Sequence, residues 1–312
     1  MNRPRNLSPS SMPMHIVATE IHGQFRVVRP FRLPFHCGSM LRGVFGRALR
    51  QTSCARGNAA CLAECQAPTA CTYARLFDPP VPHPPPHRFL RGQTRAPQPL
   101  IPIFPRPGHI DLLENDTLPI SIRLLGRLHP GDLDLLSDSL EQMCAFDLGH
   151  ERGRIVLSHA ALVGQAETPV LSAAPTQTNH IDIEFATPTW IEHNGQLMTT
   201  IAFGPLFRSI YRRLTVLCAL YGETDSDDES TFEELDDLAN AIVVVSQDVK
   251  PVDHWRRSEA RQREHPMRGF IGRMRCSGPR LERFIPTLRL AEKTHIGKAT
   301  SFGFGRIDVD AR

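Results

Sequence analysis

Apolar positions along this chain switch between a period of two and a period of three to four, and the switching marks out its elements. "MHIVATEIHGQFRVV" from Met14 alternates roughly and is β-branched, which predicts a strand. "CGSMLRGVFGRALRQ" follows, with Met40, Leu41, Val44, Phe45, Ala48 and Leu49 at helical spacing and Arg42, Arg47 and Arg50 largely off that stripe. A Gly-Ser start opens the helix, and its glycines allow close packing on a flat neighbour. "LPISIRLLGRL" (118–128) predicts a strand, "GDLDLLSDSLEQMCAF" (131–146) a helix and "RGRIVLSHAALVG" (152–164) another strand. With one further strand hidden in 85–110, the order becomes strand, helix, strand, strand, helix, strand, which is ferredoxin-like.

The second half repeats the plan without repeating the sequence. "HIDIEFATPTWI" predicts a strand, and "FGPLFRSIYRRLTVLCALYG" a helix with Leu206, Ile210, Leu214 and Leu217 on one face. "NAIVVVSQDVK" extends either a strand or a helix end. "GFIGRMRCSG" predicts a strand, "LERFIPTLRLAEKTHIG" a helix and "FGRIDV" the last strand. The expected fold is α+β: two tandem ferredoxin-like (RRM-like) domains, with a cysteine-rich insertion after the first helix. Residues 1–13 are a polar tail, 14–164 the first domain, 165–179 a Pro/Thr-rich linker, and 180–312 the second domain with a glycine-rich loop at 295–305. "DPPVPHPPPHRF" (78–89) reads as a stiff polyproline-like connector.

The net charge is only +3 over 312 residues, but 33 of the 36 basic residues are arginine. Arginine forks onto phosphate and stacks on bases, so this bias suits RNA; a GC-rich genome would produce the same bias. Residues 223–237 carry nine acids and no base, the pattern of a solvated loop and helix start. Residues 250–289 carry Lys250 and ten arginines against four acids, the electrostatic footprint of an RNA binder, with Arg256, Arg257, Arg261, Arg263 and Arg268 as candidate contacts. With no apolar run after the basic start and no 18-residue apolar stretch, neither a signal peptide nor a membrane span is expected, which points to the cytoplasm.

Eight cysteines without an export signal read as thiols or metal ligands. Cys54, Cys61, Cys65 and Cys71 are enough for a structural tetrahedral zinc site with no open position for catalysis; free thiols and an iron–sulfur cluster are the alternatives. Cys37, Cys144, Cys218 and Cys276 sit in apolar contexts and read as core thiols. In the closing "HIGKATSFGFGRIDV", Gly297, Gly303 and Gly305 bring backbone N–H groups close to a ligand. Lys298 and Ser301 add charge and hydrogen bonds there, and Phe302 can stack a base or pack inward.

"HWRRSEARQREHPMRGFIGRMRCSG", "LERFIPTLRLAEKTHIGKATSFGFGRIDV", "LPFHCGSMLRGVFGRALRQTSC" and "CLAECQAPTACTYARLFDPP" together resemble the CRISPR-associated pre-crRNA-processing endoribonucleases of the RAMP superfamily. The resemblance covers the chain from about residue 15. It implies repeat-RNA binding and metal-independent cleavage by the RNA's own 2′-hydroxyl, leaving 2′,3′-cyclic phosphate and 5′-hydroxyl ends. Family members place a catalytic histidine near the first helix, often with a tyrosine or lysine. By that correspondence His36 is the general acid/base, Arg42 and Arg47 stabilise the phosphate and Tyr73 orients. No lysine precedes Lys250, so a first-domain catalytic lysine is missing. His295, beside the glycine-rich loop, is the rival histidine, and an arginine-based site is a further alternative. "GSMLRGVFGRALR" also echoes non-catalytic RAMP subunits that only hold guide RNA, and this remains the alternative function. Expected partners are CRISPR repeat RNA and other Cas effector subunits.

Overall fold

The computed structural model describes residues 14–54, 71–166, 178–193, 195–222, 229–258 and 263–311. The first half contains β1 (Ala18–Arg29), β2 (Phe31–Leu33), α1 (Gly38–Ser53), α2 (Thr72–Phe77), β3 (Leu100–Ile103), β4 (Ile110–Leu112), β5 (Thr117–Leu125), α3 (Asp132–Gln142) and β6 (Arg154–Ala166). The second half contains β7 (Ile181–Thr189), β8 (Glu192–His193), β9 (Gln196–Leu197), α4 (Phe203–Tyr221), α5 (Glu229–Asn240), β10 (Val243–Ser258), β11 (Arg263–Ser277), α6 (Ile285–Thr294) and β12 (Ile307–Ala311).

Two antiparallel four-stranded sheets organise the molecule, in the orders β3-β5-β1-β6 and β10-β11-β7-β12. In each, the first strand of the half lies between the third and the fourth, which is consistent with the ferredoxin-like order. β3 is the strand expected within 85–110; it pairs with β5 from Leu100↔Leu124 to Ile103↔Ser121.

α1 forms where the apolar stripe predicts it. Leu41, Val44, Phe45, Ala48 and Leu49 are buried and pack with Phe25, Ile120 and Leu140 in the first core. Two of its glycines serve packing: a Cβ on Gly46 would lie 2.4 Å from the Phe77 ring, and one on Gly38 would lie 1.9 Å from the Phe302 carbonyl oxygen. α4 buries Leu206, Ile210, Leu214 and Leu217 in the second core, beside Phe185, Phe270 and Phe284. Full burial of such a side chain contributes about 1.5–3 kcal/mol. Ile16, Ala18, Ile101 and Leu125 come from the first half yet belong to the second core, so the halves share apolar contact.

Two stretches differ from expectation. The acidic run continues as α5, which buries Leu235 and Ala239 and sends Asp236 to Arg208 (2.8 Å) and Glu234 to Arg283. Its carboxylates therefore dock a helix as well as face water. The strand expected from Gly269 begins at Arg263, because β10 and β11 form a hairpin paired from Val243↔Ser277 to Ser258↔Arg263. β7 covers only its base, ending at Thr189↔Phe270. Beyond that pairing no described strand flanks the hairpin. The linker residues 167–177 lie outside the described residues.

Cys37, Cys218 and Cys276 are buried, and burial pushes each thiol up to about 12; Cys144 is part-buried and also shifted up. They are unreactive core thiols, as the sequence suggests. No described helix is long and apolar enough to cross a membrane.

Candidate active site

The glycine-rich loop of the second half is folded against the start of α1 in the first. It leaves α6 at Thr294 and makes a turn in which Gly297, Gly303 and Gly305 have φ of +72°, +78° and +74°. His295 and Ala299 also adopt positive φ, at 54° and 60°. Close backbone approach explains Gly305, where a Cβ would lie 1.9 Å from the Ile296 carbonyl oxygen.

Two part-buried arginines hold the loop from below. Arg213 of α4 donates to the carbonyls of His295 (2.8 Å) and Thr294 (3.0 Å) and to Thr300 Oγ1 (2.9 Å). Desolvation lowers its pKa to about 10, so it remains charged at neutral pH. Arg123 of β5 donates to the Lys293 carbonyl (2.7 Å) while paired to Glu20 (2.8 Å), placing positive charge at the C-terminus of α6.

On its upper side the loop meets His36. The His36 ring is 4 % exposed, its Nε2 lies 2.9 Å from the Phe302 carbonyl oxygen, and Phe304 packs edge-on with centroids 4.5 Å apart. A carbonyl only accepts, so Nε2 carries the proton and Nδ1 of the neutral ring is the basic nitrogen. Arg42, one turn into α1, stacks between two rings, 4.1 Å from the Phe77 centroid and 4.5 Å from that of Phe302. Arg42, Ser301, Gln98, Pro102 and Phe104 line one shallow pocket. α1 has no side-chain cap and no acid in its first turn, and the Ser39 Oγ there is buried without a hydrogen-bond partner. An uncapped helix start with a hydroxyl and an arginine favours an anion.

The remaining sequence candidates are scattered. Tyr73 joins the cluster through Phe77, on which it stacks at 5.2 Å. Arg47 turns to Phe146 (5.0 Å) on another face of α1. His295 is 1 % exposed, with Nδ1 3.1 Å from the Phe304 carbonyl oxygen. Burial, then Arg123 and Arg213, lower its pKa to about 3. Lys298 pairs with Glu192 (2.6 Å) above the Trp190 ring.

Arg268 faces Asp253 at 3.8 Å. Arg256 and Arg257 lie on β10 and Arg263 on β11, while Arg261 is outside the described residues. The basic count of 250–289 is therefore not the unpaired charge it suggests: Arg273, Arg275, Arg283 and Arg289 are all paired to carboxylates. Cys54 follows α1 and Cys71 precedes α2, neither in a disulfide; Cys61 and Cys65 lie outside the described residues. His87, in the Pro-rich segment, is buried and accepts the Phe89 N–H.

Sequence reading missed Arg213, Arg123, Ser39 and Gln98; Phe304, read as able to stack a base or pack inward, packs inward on His36. The one signal for Arg213 was its place beside Arg212 on a largely apolar helix.

The family model "CRISPR-associated endoribonuclease Cas6" matches residues 183–307, the segment that carries this loop, and an N-terminal-domain model, AF_1859_N, matches residues 16–182. Over residues 183–307 the chain matches the Cas6 endoribonuclease family. Solved Cas6 structures share its fold at low identity. The Cas6 (TTHA0078) product complex matches with TM-score 0.56 and 19% identity over 94% of this chain and 99% of that one. Thermus thermophilus Cas6 (TTHB231) matches with TM-score 0.55 and 14% identity over 95% and 99%. A partial Cas6-RT-Cas1–Cas2 complex matches with TM-score 0.59 and 12% identity, over 96% of this chain but 47% of that one. No curated protein sequence matches.

Proposed function

We propose that this Cas6-family chain is a metal-independent endoribonuclease that binds CRISPR repeat RNA and cuts pre-crRNA into guide units. The observation that carries the reading is the seating of the glycine-rich loop on the start of α1, with His36 Nε2 against the Phe302 carbonyl. Two tandem ferredoxin-like domains thereby contribute one site.

In the reaction, the 2′-oxygen attacks the adjacent phosphorus as the bond to the 5′-oxygen breaks. The products are a 2′,3′-cyclic phosphate and a 5′-hydroxyl. The nucleophile is the RNA's own hydroxyl, so no metal-activated water is required. His36 takes or returns a proton at Nδ1, which suits a group that ordinarily titrates near neutrality. Arg42, the uncapped α1 start and Ser39 stabilise charge on the phosphorane, with Arg47 steering from the flank. Tyr73 orients through Phe77. His295, held neutral inside the loop, shapes the backbone instead.

The buried His36 ring must be uncovered when RNA displaces Phe302 or Phe304. That burial is also what favours the second reading, a guide-RNA-holding subunit that does not cut. Product and substrate-mimic complexes of Cas6 (TTHA0078) support RNA as the partner, and the Cas6-RT-Cas1–Cas2 assembly supports association with other Cas subunits. Cys54, Cys61, Cys65 and Cys71 would hold a structural zinc ion, which stitches the segment after α1 and supplies no catalysis. Metal content of the purified chain and of Cys54→Ser tests this.

Cleavage of the chain's own repeat RNA in EDTA tests the function. Wild type should cut, RNA with a 2′-deoxy scissile nucleotide should survive, and His36→Ala should bind without cutting. Cutting by His36→Ala at the wild-type rate removes His36 from the site. Tight binding with no cutting by wild type selects the guide-holding subunit.

A further inference from the structure

The Pro-rich segment between α2 and β3 brings a second aromatic–cation cluster against α4. From Pro79 to Pro99 it holds Arg88, Arg91 and Arg95 and no acid. α4 holds Arg208, Arg212 and Arg213 and no acid. The two meet at Phe89. The Arg212 guanidinium lies 4.6 Å from its ring centroid and that of Arg88 5.3 Å. The His87 ring packs on Phe89 at 4.8 Å and accepts its backbone N–H, fixing the turn. Arg88, Arg91 and Arg212 are exposed. Arg95 is taken by Asp78, and Arg208 by Asp236. Arg212 pairs with no carboxylate among the described residues.

The cluster stands beside the candidate site. Arg213, the next residue along α4, grips Thr300 in the loop. Gln98, farther along the Pro-rich segment, lines the pocket shared by Arg42 and Ser301.

We propose that Arg88, Phe89 and Arg212 form a phosphate-binding station for the single-stranded RNA that runs out from the cleavage site; this rests on the endoribonuclease reading above. Phe89 holds two guanidiniums in place before RNA arrives, so less side-chain freedom is lost on binding. Their forked N–H donors fit phosphate oxygens, and a guanidinium plane can itself carry a base. A single strand fits better than a duplex, because both cations gather on one ring at a turn of the chain instead of following a groove.

The test uses the full chain and two RNAs with a 2′-deoxy at the scissile nucleotide: the repeat hairpin with single-stranded flanks, and the hairpin trimmed of them. For the double variant R88A/R212A, affinity for the flanked RNA should fall at least ~10-fold. The slope of log affinity against log salt should become shallower by about 1.4, two single-strand phosphate contacts' worth. The trimmed hairpin should bind both proteins alike. R212K, which keeps the charge and loses the planar stack, should fall between. Equal affinity of wild type and double variant for the flanked RNA overturns the station and leaves an acidic protein segment as the occupant to test. An equal loss for both RNAs overturns it as well. Wild type that binds neither RNA overturns the endoribonuclease reading instead.

Discussion

Five arginines of the 268–289 region and Arg42, Arg47 and Arg212 of α1 and α4 end on different partners. In the first region Arg268 faces Asp253, Arg273 Glu184, Arg275 Asp182, Arg283 Glu234 and Arg289 Glu292. Around the glycine-rich loop, Arg42 rests on Phe77 and Phe302, Arg47 on Phe146 and Arg212 on Phe89. A guanidinium paired with a carboxylate must surrender that partner before it takes a phosphate. One stacked on a ring keeps its charge and has its orientation preset. Arginine density along the chain is thus a poor map of where RNA will be held.

The sharpest way to break this contrast is a pair of substitutions. Arg42→Ala should slow single-turnover cleavage about 100- to 1,000-fold, the effect of losing one donor to a developing charge. Arg275→Ala should change it less than about 3-fold. Comparable losses in the two variants would erase the distinction.

Next in size is Gly38→Ala. Its Cβ would fall 1.9 Å from the Phe302 carbonyl oxygen and 2.6 Å from His36 Nε2. Overpacking of that kind costs about 1–3 kcal/mol, so a lower thermal midpoint and a lost cut are expected together. An unchanged midpoint would mean the loop does not press on α1 in solution.

The loop side is also electropositive around His295, whose pKa of about 3 reflects burial first and then Arg123, Arg213 and Arg306. Folded His295 stays neutral, whereas the unfolded residue takes up a proton below its ordinary value near 6.5. Its contribution to stability is therefore present above about pH 6.5 and is lost as pH falls toward 3. One proton gives a slope of about 1.4 kcal/mol per pH unit. Urea titrations across that window should show His295→Gln with a slope shallower by about one proton; parallel curves would contradict it.

The smallest effect is expected from Glu184→Gln, which releases Arg106 and Arg273 from a shared carboxylate. Binding of non-cleavable repeat RNA should tighten by less than about 3-fold, and only at low salt. A larger gain would place RNA on the open face of the second sheet.

Several elements were legible because they bury a periodic face. The stripe of α1, the face of α4 and the short strand hidden before Pro105 needed only their own residues and the order of their neighbours. The acidic α5 was not fully legible, because Asp236 and Glu234 find arginines distant in sequence. The distal β10–β11 ribbon was not legible either, since a hairpin that runs past its sheet is set by pairing between its two strands, which the pattern of one strand does not show.

By itself, the sequence determined two α+β halves, a closing glycine-rich loop and a histidine ahead of the first helix, because hydrophobic period and glycine placement are local properties. Only the tertiary structure decided that the loop of one half packs against the start of α1 in the other. It also set which arginines are neutralised and which rest on rings, and it buried His295 while joining His36 to Phe302. Those outcomes depend on contacts between residues as much as 266 positions apart, and no pattern along the chain encodes which distant partner a side chain meets.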